Sequence, residues 1–295
     1  SRKNETLFNN LLKDDYPILM EGIHSSALLN DDRFTNRKKF VRLHNVEFEY
    51  YKDLSKNATS FFNKMYYLRE SSLLRKYEYN IVNKATAFWG VTTKDVDVYR
   101  NELGCTTIDY LPLYLPENWT VNTHEGFGNY CLYQADLSVD ANENAAIWLL
   151  ENIFSTLEIP FVIAGKNPSK HLQEAAHRLQ HTCIVANPEE KEMQDMITKA
   201  HVNILPSFSN SGIKLKLINA LFKGKHCVVN AATVTGSGLE KLCHVADDIE
   251  SMQKTIEQLF EQPYSISEIG MRMQLLQETF NNEKNAKQQV QWIWG

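Results

Sequence analysis

From about residue 130 to 260 the chain repeats one pattern, a short apolar run followed by a segment with apolar residues at helical spacing. Tyr130-Cys131-Leu132-Tyr133 precedes residues 142–157, where Ala146, Leu149, Leu150, Ile153 and Leu157 fall three or four apart. Phe161-Val162-Ile163-Ala164-Gly165 follows, then a polar helix from Ser169 to Leu179, then Thr182-Cys183-Ile184-Val185. Residues 189–199 read as a helix, 201–206 as a strand, 213–222 as a helix stopped by Gly224, and Cys227-Val228-Val229-Asn230 as a strand. Uninterrupted apolar strands mark a parallel sheet buried on both faces, and the helices between them are the crossovers such a sheet requires. The pattern predicts a doubly wound, Rossmann-like α/β domain. Two more apolar stripes (Ile249, Met252, Ile256 and Leu259; Ile266, Ile269, Met273, Leu276 and Phe280) extend it.

The first half has the same grammar with fewer strands. Residues 16–20, 40–43, 87–91 and 108–111 are strand candidates. A long polar and aromatic helix is expected from Asn57 to Ala85, and another from Lys94 to Leu103 capped by Thr92 or Thr93. Four strands are few for such a domain, and the chain opens without Met, so N-terminal strands are expected to be missing. Residues 111–129, with Pro112, Pro116, Gly126 and Gly128, lack periodicity and read as a linker. The expected organisation is therefore an incomplete Rossmann-like domain over 1–118, a second over 119–280, and a C-terminal helix over 281–295 packing back on the first. Two such domains are expected to face a cleft, where small ligands commonly bind.

Composition removes several function classes. A net charge of -5 argues against nucleic acid as the main partner, which usually requires a basic face. No apolar run reaches 18 residues, so no membrane-spanning helix is expected, although peripheral contact with a membrane stays compatible. Five cysteines without paired spacing suit a reducing, cytoplasmic setting. No Cys or His cluster has zinc spacing and no phosphate loop ends in Gly-Lys-Ser/Thr. Asp95-Val96-Asp97 spells an acid-x-acid metal motif, but it falls in the first turns of a helix, where acids suit the helix dipole. Neither a metal nor another cofactor is expected.

The richest stretch runs from Val202 to Leu239. A strand ends at Pro206, a polar loop of Ser207, Ser209, Asn210 and Ser211 follows, and Gly212 with Ile213 is expected to open a helix. A helix N-terminus at the carboxyl edge of a parallel sheet offers unpaired N–H groups to a diphosphate. Gly212 allows close approach of the phosphate, and Lys214 in the expected first turn reaches its oxygens.

Asn203-Ile204-Leu205-Pro206-Ser207, Ser211-Gly212-Ile213-Lys214, Leu217-Ile218-Asn219-Ala220-Leu221, Lys223-Gly224-Lys225 and Gly236-Ser237-Gly238-Leu239 fall in register with the donor-site block of a known family. The chain resembles the group 1 glycosyltransferases, retaining enzymes of the GT-B fold. That resemblance implies two Rossmann-like domains and transfer of a sugar from a nucleoside diphosphate donor, UDP- or GDP-linked, to a hydroxyl on a glycan or lipid-linked glycan, with no metal. The family's paired glutamates fall at Ser211 and Asn219, which hydrogen-bond but carry no charge. The resemblance gives Ser211 the donor sugar and Asn219 the ribose. The family's basic pair is absent from Gln134-Ala135-Asp136-Leu137-Ser138, and Lys166 is the candidate substitute. Val185, Ala186 and Asn187, at a strand end, are candidates for the base. Val41-Arg42-Leu43-His44-Asn45-Val46-Glu47 matches the family strand and loop that end in His, so His44 is a candidate catalytic residue beside Ser211 and Lys214. Glu21 and His24 are weaker candidates for the acceptor side. The neutral residues at 211 and 219 also leave open a non-catalytic nucleotide- or carbohydrate-binding subunit of a glycan assembly complex. An epimerase built on two similar domains is a third, weaker reading.

Overall fold

The computed structural model describes residues 3–58, 60–209 and 212–295. Asn210 and Ser211, two of the candidate donor residues, lie outside the described residues. The chain divides into two compact units. The first comprises 1–114, 209–213 and 280–295; the second comprises 115–208 and 214–279.

The first unit opens with helix α1 (Glu5–Leu11), then β1 (Ile18–Glu21), β2 (Lys39–Arg42), α2 (Glu47–Asn57), α3 (Phe61–Ile81), β3 (Ala87–Gly90), α4 (Thr93–Asn101) and β4 (Ile108–Tyr110). The strands form a parallel sheet in the order β1-β2-β3-β4. β2 and β3 are buried along their whole length; β3 is an apolar run, whereas β2 carries Lys39 and Arg42 buried beside Phe40 and Val41. The helix expected over 57–85 is α3, trimmed to Phe61–Ile81, and α2 before it was not expected. Ala58 and Ser60 take extended backbone between the two helices. Asp95 and Asp97 part company on α4. Asp95 is buried with its N–H donated to Thr92 Oγ1, and Asp97 is exposed, so the acid-x-acid pair does not converge on one point.

The second unit contains β5 (Cys131–Asp136), α5 (Asp140–Asn152), β6 (Phe161–Lys166), α6 (Lys170–His177), β7 (Thr182–Ala186), α7 (Glu190–Lys199), β8 (Val202–Ile204), α8 (Leu215–Lys223), β9 (His226–Val229), α9 (Ala231–Val234), β10 (His244–Val245), α10 (Ile249–Phe260) and α11 (Ile266–Thr279). All its strands are parallel, in the order β10-β9-β8-β5-β6-β7. The winding reverses between β5 and β8, which makes the carboxyl ends of those two strands the topological switch point. α8 covers this edge through Leu217, Ile218, Leu221 and Phe222, all buried; each such side chain contributes about 2 kcal/mol of apolar burial.

The last helix, α12 (Asn282–Trp294), belongs to the first unit. Trp292 and Ile293 pack on Phe40, Ala87, Trp89 and Leu111, and the Trp292 and Trp89 rings stack with centroids 5.7 Å apart. The five cysteines are all free thiols.

Candidate functional site

At the switch point the sheet edge is built from the ends of β5 and β8 and the first turn of α8. Gln134, near the end of β5, donates from Nε2 to the Lys216 carbonyl at 3.0 Å and so pins α8 to the strand. The Lys216 ammonium donates to Asn142 Oδ1 at 3.1 Å and Tyr133 Oη at 3.3 Å, and lies 4.9 Å from the Tyr133 ring centroid. Burial, with Lys214 as a second cause, pulls its pKa down to about 8. One turn later, Asn219 carries a buried Oδ1 with no hydrogen-bond partner among the described residues.

The loop leaving β8 is clamped before it departs. Asn230 accepts the Ser207 N–H at 2.9 Å and donates to the Ser207 carbonyl at 2.8 Å, while Thr233 Oγ1 donates to the Leu205 carbonyl at 2.8 Å. The helix that follows does not start at Gly212. Gly212 has φ +65°, a left-handed value that suits glycine, and Lys214 is the extended N-cap of a helix beginning at Leu215. The first turn of the helix is therefore at Leu215, and Lys214 stands before it instead of inside it.

Lys166 ends β6 opposite Asp136, exposed to solvent. It lines a cavity of about 400 Å³ whose walls also include Asp136, Gly165, Pro188 and Met193. Asn187, with φ +53°, fixes the strand ends: its N–H donates to the Gly165 carbonyl and its Oδ1 accepts from the Asn167 N–H, each at 2.8 Å. Val185 is half-buried on β7, paired with Ala164.

In the first unit, His44 lies two residues beyond the end of β2. Its Nε2 lies 3.1 Å from Glu21 Oε2, at the end of the neighbouring strand β1, and both side chains are about half exposed. Gly22 (φ +73°) turns the chain beneath the imidazole, so the β1 and β2 ends present His44 and Glu21 together. His24 sits 3.6 Å from Glu47. The segment 209–213 belongs to this unit, with Ser209 Oγ donating to Asp53 Oδ2 at 3.2 Å and Gly212 packed so closely on Asn45 that a Cβ there would overlap its Oδ1. Ile213 is half-buried beside it. Behind these loops Glu78 is fully buried, accepting from the N–H groups of Glu47 and Phe48 and from the Tyr99 hydroxyl; burial pushes its pKa up to about 7.

Two residues here were invisible in the sequence. Lys216 looks like any lysine on an amphipathic helix, and its only signal is the Lys214-Leu215-Lys216 spacing at a helix start. Asp53 gave no signal at all.

No family model matches the chain. Among curated proteins it is 25% identical over 298 residues to an uncharacterised 44.6 kDa protein in the cps region of Klebsiella pneumoniae, covering 96% of this chain and 75% of that protein. Among solved structures it is similar to S. aureus TarM, determined with fondaparinux, α-GlcNAc-glycerol and UDP (TM-score 0.72, 14% identity, 97% of this chain and 58% of TarM). It is also similar to Anabaena HepE with UDP and glucose (TM-score 0.66, 11% identity, 97% of this chain and 80% of HepE). A UDP-forming α,α-trehalose-phosphate synthase from Burkholderia xenovorans gives a TM-score of 0.64 at 10% identity, over 98% of this chain and 76% of that one. The chain thus spans under two thirds of the length of TarM. At these identities the likeness establishes the fold: two parallel α/β units of the GT-B type.

Proposed function

We propose that this chain binds a nucleoside diphosphate sugar, with UDP as the nucleotide, at the carboxyl edge of its second sheet and transfers the sugar to a hydroxyl acceptor. The observation that carries the reading is the pairing of a half-buried cation, Lys216, with an unpartnered acceptor, Asn219, one turn apart at the switch point. Lys216, Lys214 and the N–H groups at Leu215 hold the diphosphate. Asn219 Oδ1 accepts from a ribose hydroxyl, and Lys166 with the adjoining cavity takes the base, beside the strand end of Val185 and Asn187. By the resemblance, Ser209, Asn210, Ser211, Gly212 and Ile213 serve the donor sugar. The C1–O bond to the diphosphate breaks, the acceptor oxygen bonds C1, and the hydroxyl proton passes to a base, the role that the resemblance gives to His44. Retention and independence from metal come with the family resemblance. The UDP assignment draws support from TarM and HepE, whose structures contain UDP, and from the UDP-forming synthase.

The acceptor we infer is lipid-linked, because α3 carries an apolar face that the fold leaves uncovered. Glu78 and Ile81 are buried on one side, with Leu74 and Tyr77 packed beside them. On the other, Phe61 is 71% exposed and Phe62 83%, with Met65, Tyr66, Leu68 and Tyr79 exposed along the same arc. Arg69 and Lys76 are exposed among them, whereas the acids of α3, Glu70 and Glu78, fall on the opposite side. Aromatic side chains interleaved with basic ones suit the plane of an anionic bilayer. No helix of the described residues is long and apolar enough to cross one.

Release of UDP from UDP-glucose and UDP-N-acetylglucosamine, followed with and without lipid-linked glycan extracted from bacterial membranes, tests the reaction. Acceptor-dependent release at least tenfold over the donor-only rate is expected. Donor binding with no acceptor-dependent release would contradict the transferase reading.

A further inference from the structure

Away from the donor edge, at the opposite ends of the strands, three potential ligands meet in the second unit: His226 at the start of β9, His244 on β10 and Glu268 on α11. Their nearest ligand atoms all lie within 4.8 Å of one another. His226 Nδ1 is 3.1 Å from Glu268 Oε1, and His244 Nε2 is 4.0 Å from the same oxygen.

The hydrogen bonds around this cluster fix where its lone pairs point. His226 is 2% exposed, and its Nε2 lies 3.1 Å from the Gln262 carbonyl. A carbonyl only accepts, so Nε2 carries the proton and Nδ1 presents a lone pair. That Nδ1 is buried and makes no hydrogen bond among the described residues. Glu268 is held in a similar way: its Oε2 accepts from Ser265 N–H at 2.9 Å and Ser265 Oγ at 2.7 Å, which turns Oε1 toward the imidazoles. A buried imidazole lone pair thus faces a carboxylate oxygen across 3.1 Å, two acceptors with nothing between them to share. The nearby cation does not resolve this. Arg272 donates to the carbonyls of Gly224, Leu221 and Lys225, and among the described residues no ion pair joins it to Glu268.

We propose that His226, His244 and Glu268 bind a divalent transition-metal ion, zinc by the chemistry of the donor set, and that this ion ties β9 and β10 to α11. Tetrahedral zinc with bonds near 2.0 Å sets its ligand atoms about 3.3 Å apart. The His226–Glu268 pair already has that separation, and the half-exposed His244 closes the remainder by a small side-chain rotation. Its exposure also opens the fourth position to water. The Gln262 carbonyl on His226 and Ser265 on Glu268 are the outer-shell partners that orient metal ligands in such sites. The site is independent of sugar transfer; its role is structural.

The chain, stripped with chelator and dialysed, is titrated with zinc chloride by calorimetry, and its Tm is followed in parallel. One zinc per chain at micromolar affinity or tighter is expected. Tm should rise by roughly 5 °C when free zinc is about a hundredfold above Kd. His244→Ala, at a half-exposed position, is expected to weaken zinc at least tenfold and abolish the Tm rise. His171→Ala, on the exposed face of α6, should leave both unchanged. Absence of stoichiometric zinc binding, or equal binding by His244→Ala, would overturn the proposal.

Discussion

Lys216 is where the physical chemistry of the site is most exposed to test. Burial holds its ammonium down to about 8 from the ordinary 10.5. Its charged form is therefore penalised in the folded chain, so stability rises as pH climbs from about 8 toward 10.5, and the cation offered to a diphosphate is lost over the same range. UDP affinity is expected to fall about fivefold between pH 8 and pH 9, and titration of UDP across that interval checks it. Lys216→Met should weaken UDP about thirtyfold, the loss of a charge-assisted hydrogen bond, and remove the pH dependence. Asn219→Ala should weaken UDP several-fold while leaving inorganic pyrophosphate unaffected, because the ribose is the group it serves. Lys216 could not be singled out from the sequence, since nothing there says that the first turn of α8 abuts Gln134, Asn142 and Tyr133. Lys214, by contrast, is conspicuous in the sequence, and the fold sets it at the N-cap, before the first turn in which it was expected.

Elements were legible to the extent that periodicity carries them. The buried strands and α8 announce themselves because a parallel sheet needs unbroken apolar runs and its crossovers need one apolar stripe. α2 went unread, because Val46 offers no capping side chain to mark its start. The left-handed Gly212 had a signal, the glycine itself, but a glycine before an apolar stripe fits a helix start equally well. α3 is informative for what it leaves exposed. Whereas Phe48 on the preceding helix is buried, Phe61, Phe62 and Tyr66 face outward. Flotation with vesicles of neutral and anionic composition addresses that face. The chain should float with anionic vesicles, and the double variant Phe61→Ser/Phe62→Ser should partition at least tenfold less while keeping its Tm, since both rings are mostly exposed. Equal flotation of the variant would remove α3 as the contact.

At the scale of the whole molecule, two parallel sheets were foreseeable, but their strand orders were not. Periodicity counts strands without saying which neighbours which, and the functional edge depends on that order. Only the sequence β10-β9-β8-β5-β6-β7 brings β5 beside β8, and with them Gln134, Lys216 and Asn219 to one edge. The central claim is that this edge holds a nucleoside diphosphate. Calorimetric titration of the chain with UDP, GDP and ADP, first without metal and then with magnesium, tests it most directly. Micromolar binding of UDP, about -8 kcal/mol, in preference to GDP and ADP and unchanged by magnesium, is the expected result. A folded chain that binds none of the three, or binds one with an affinity that Lys216→Met does not alter, would contradict it.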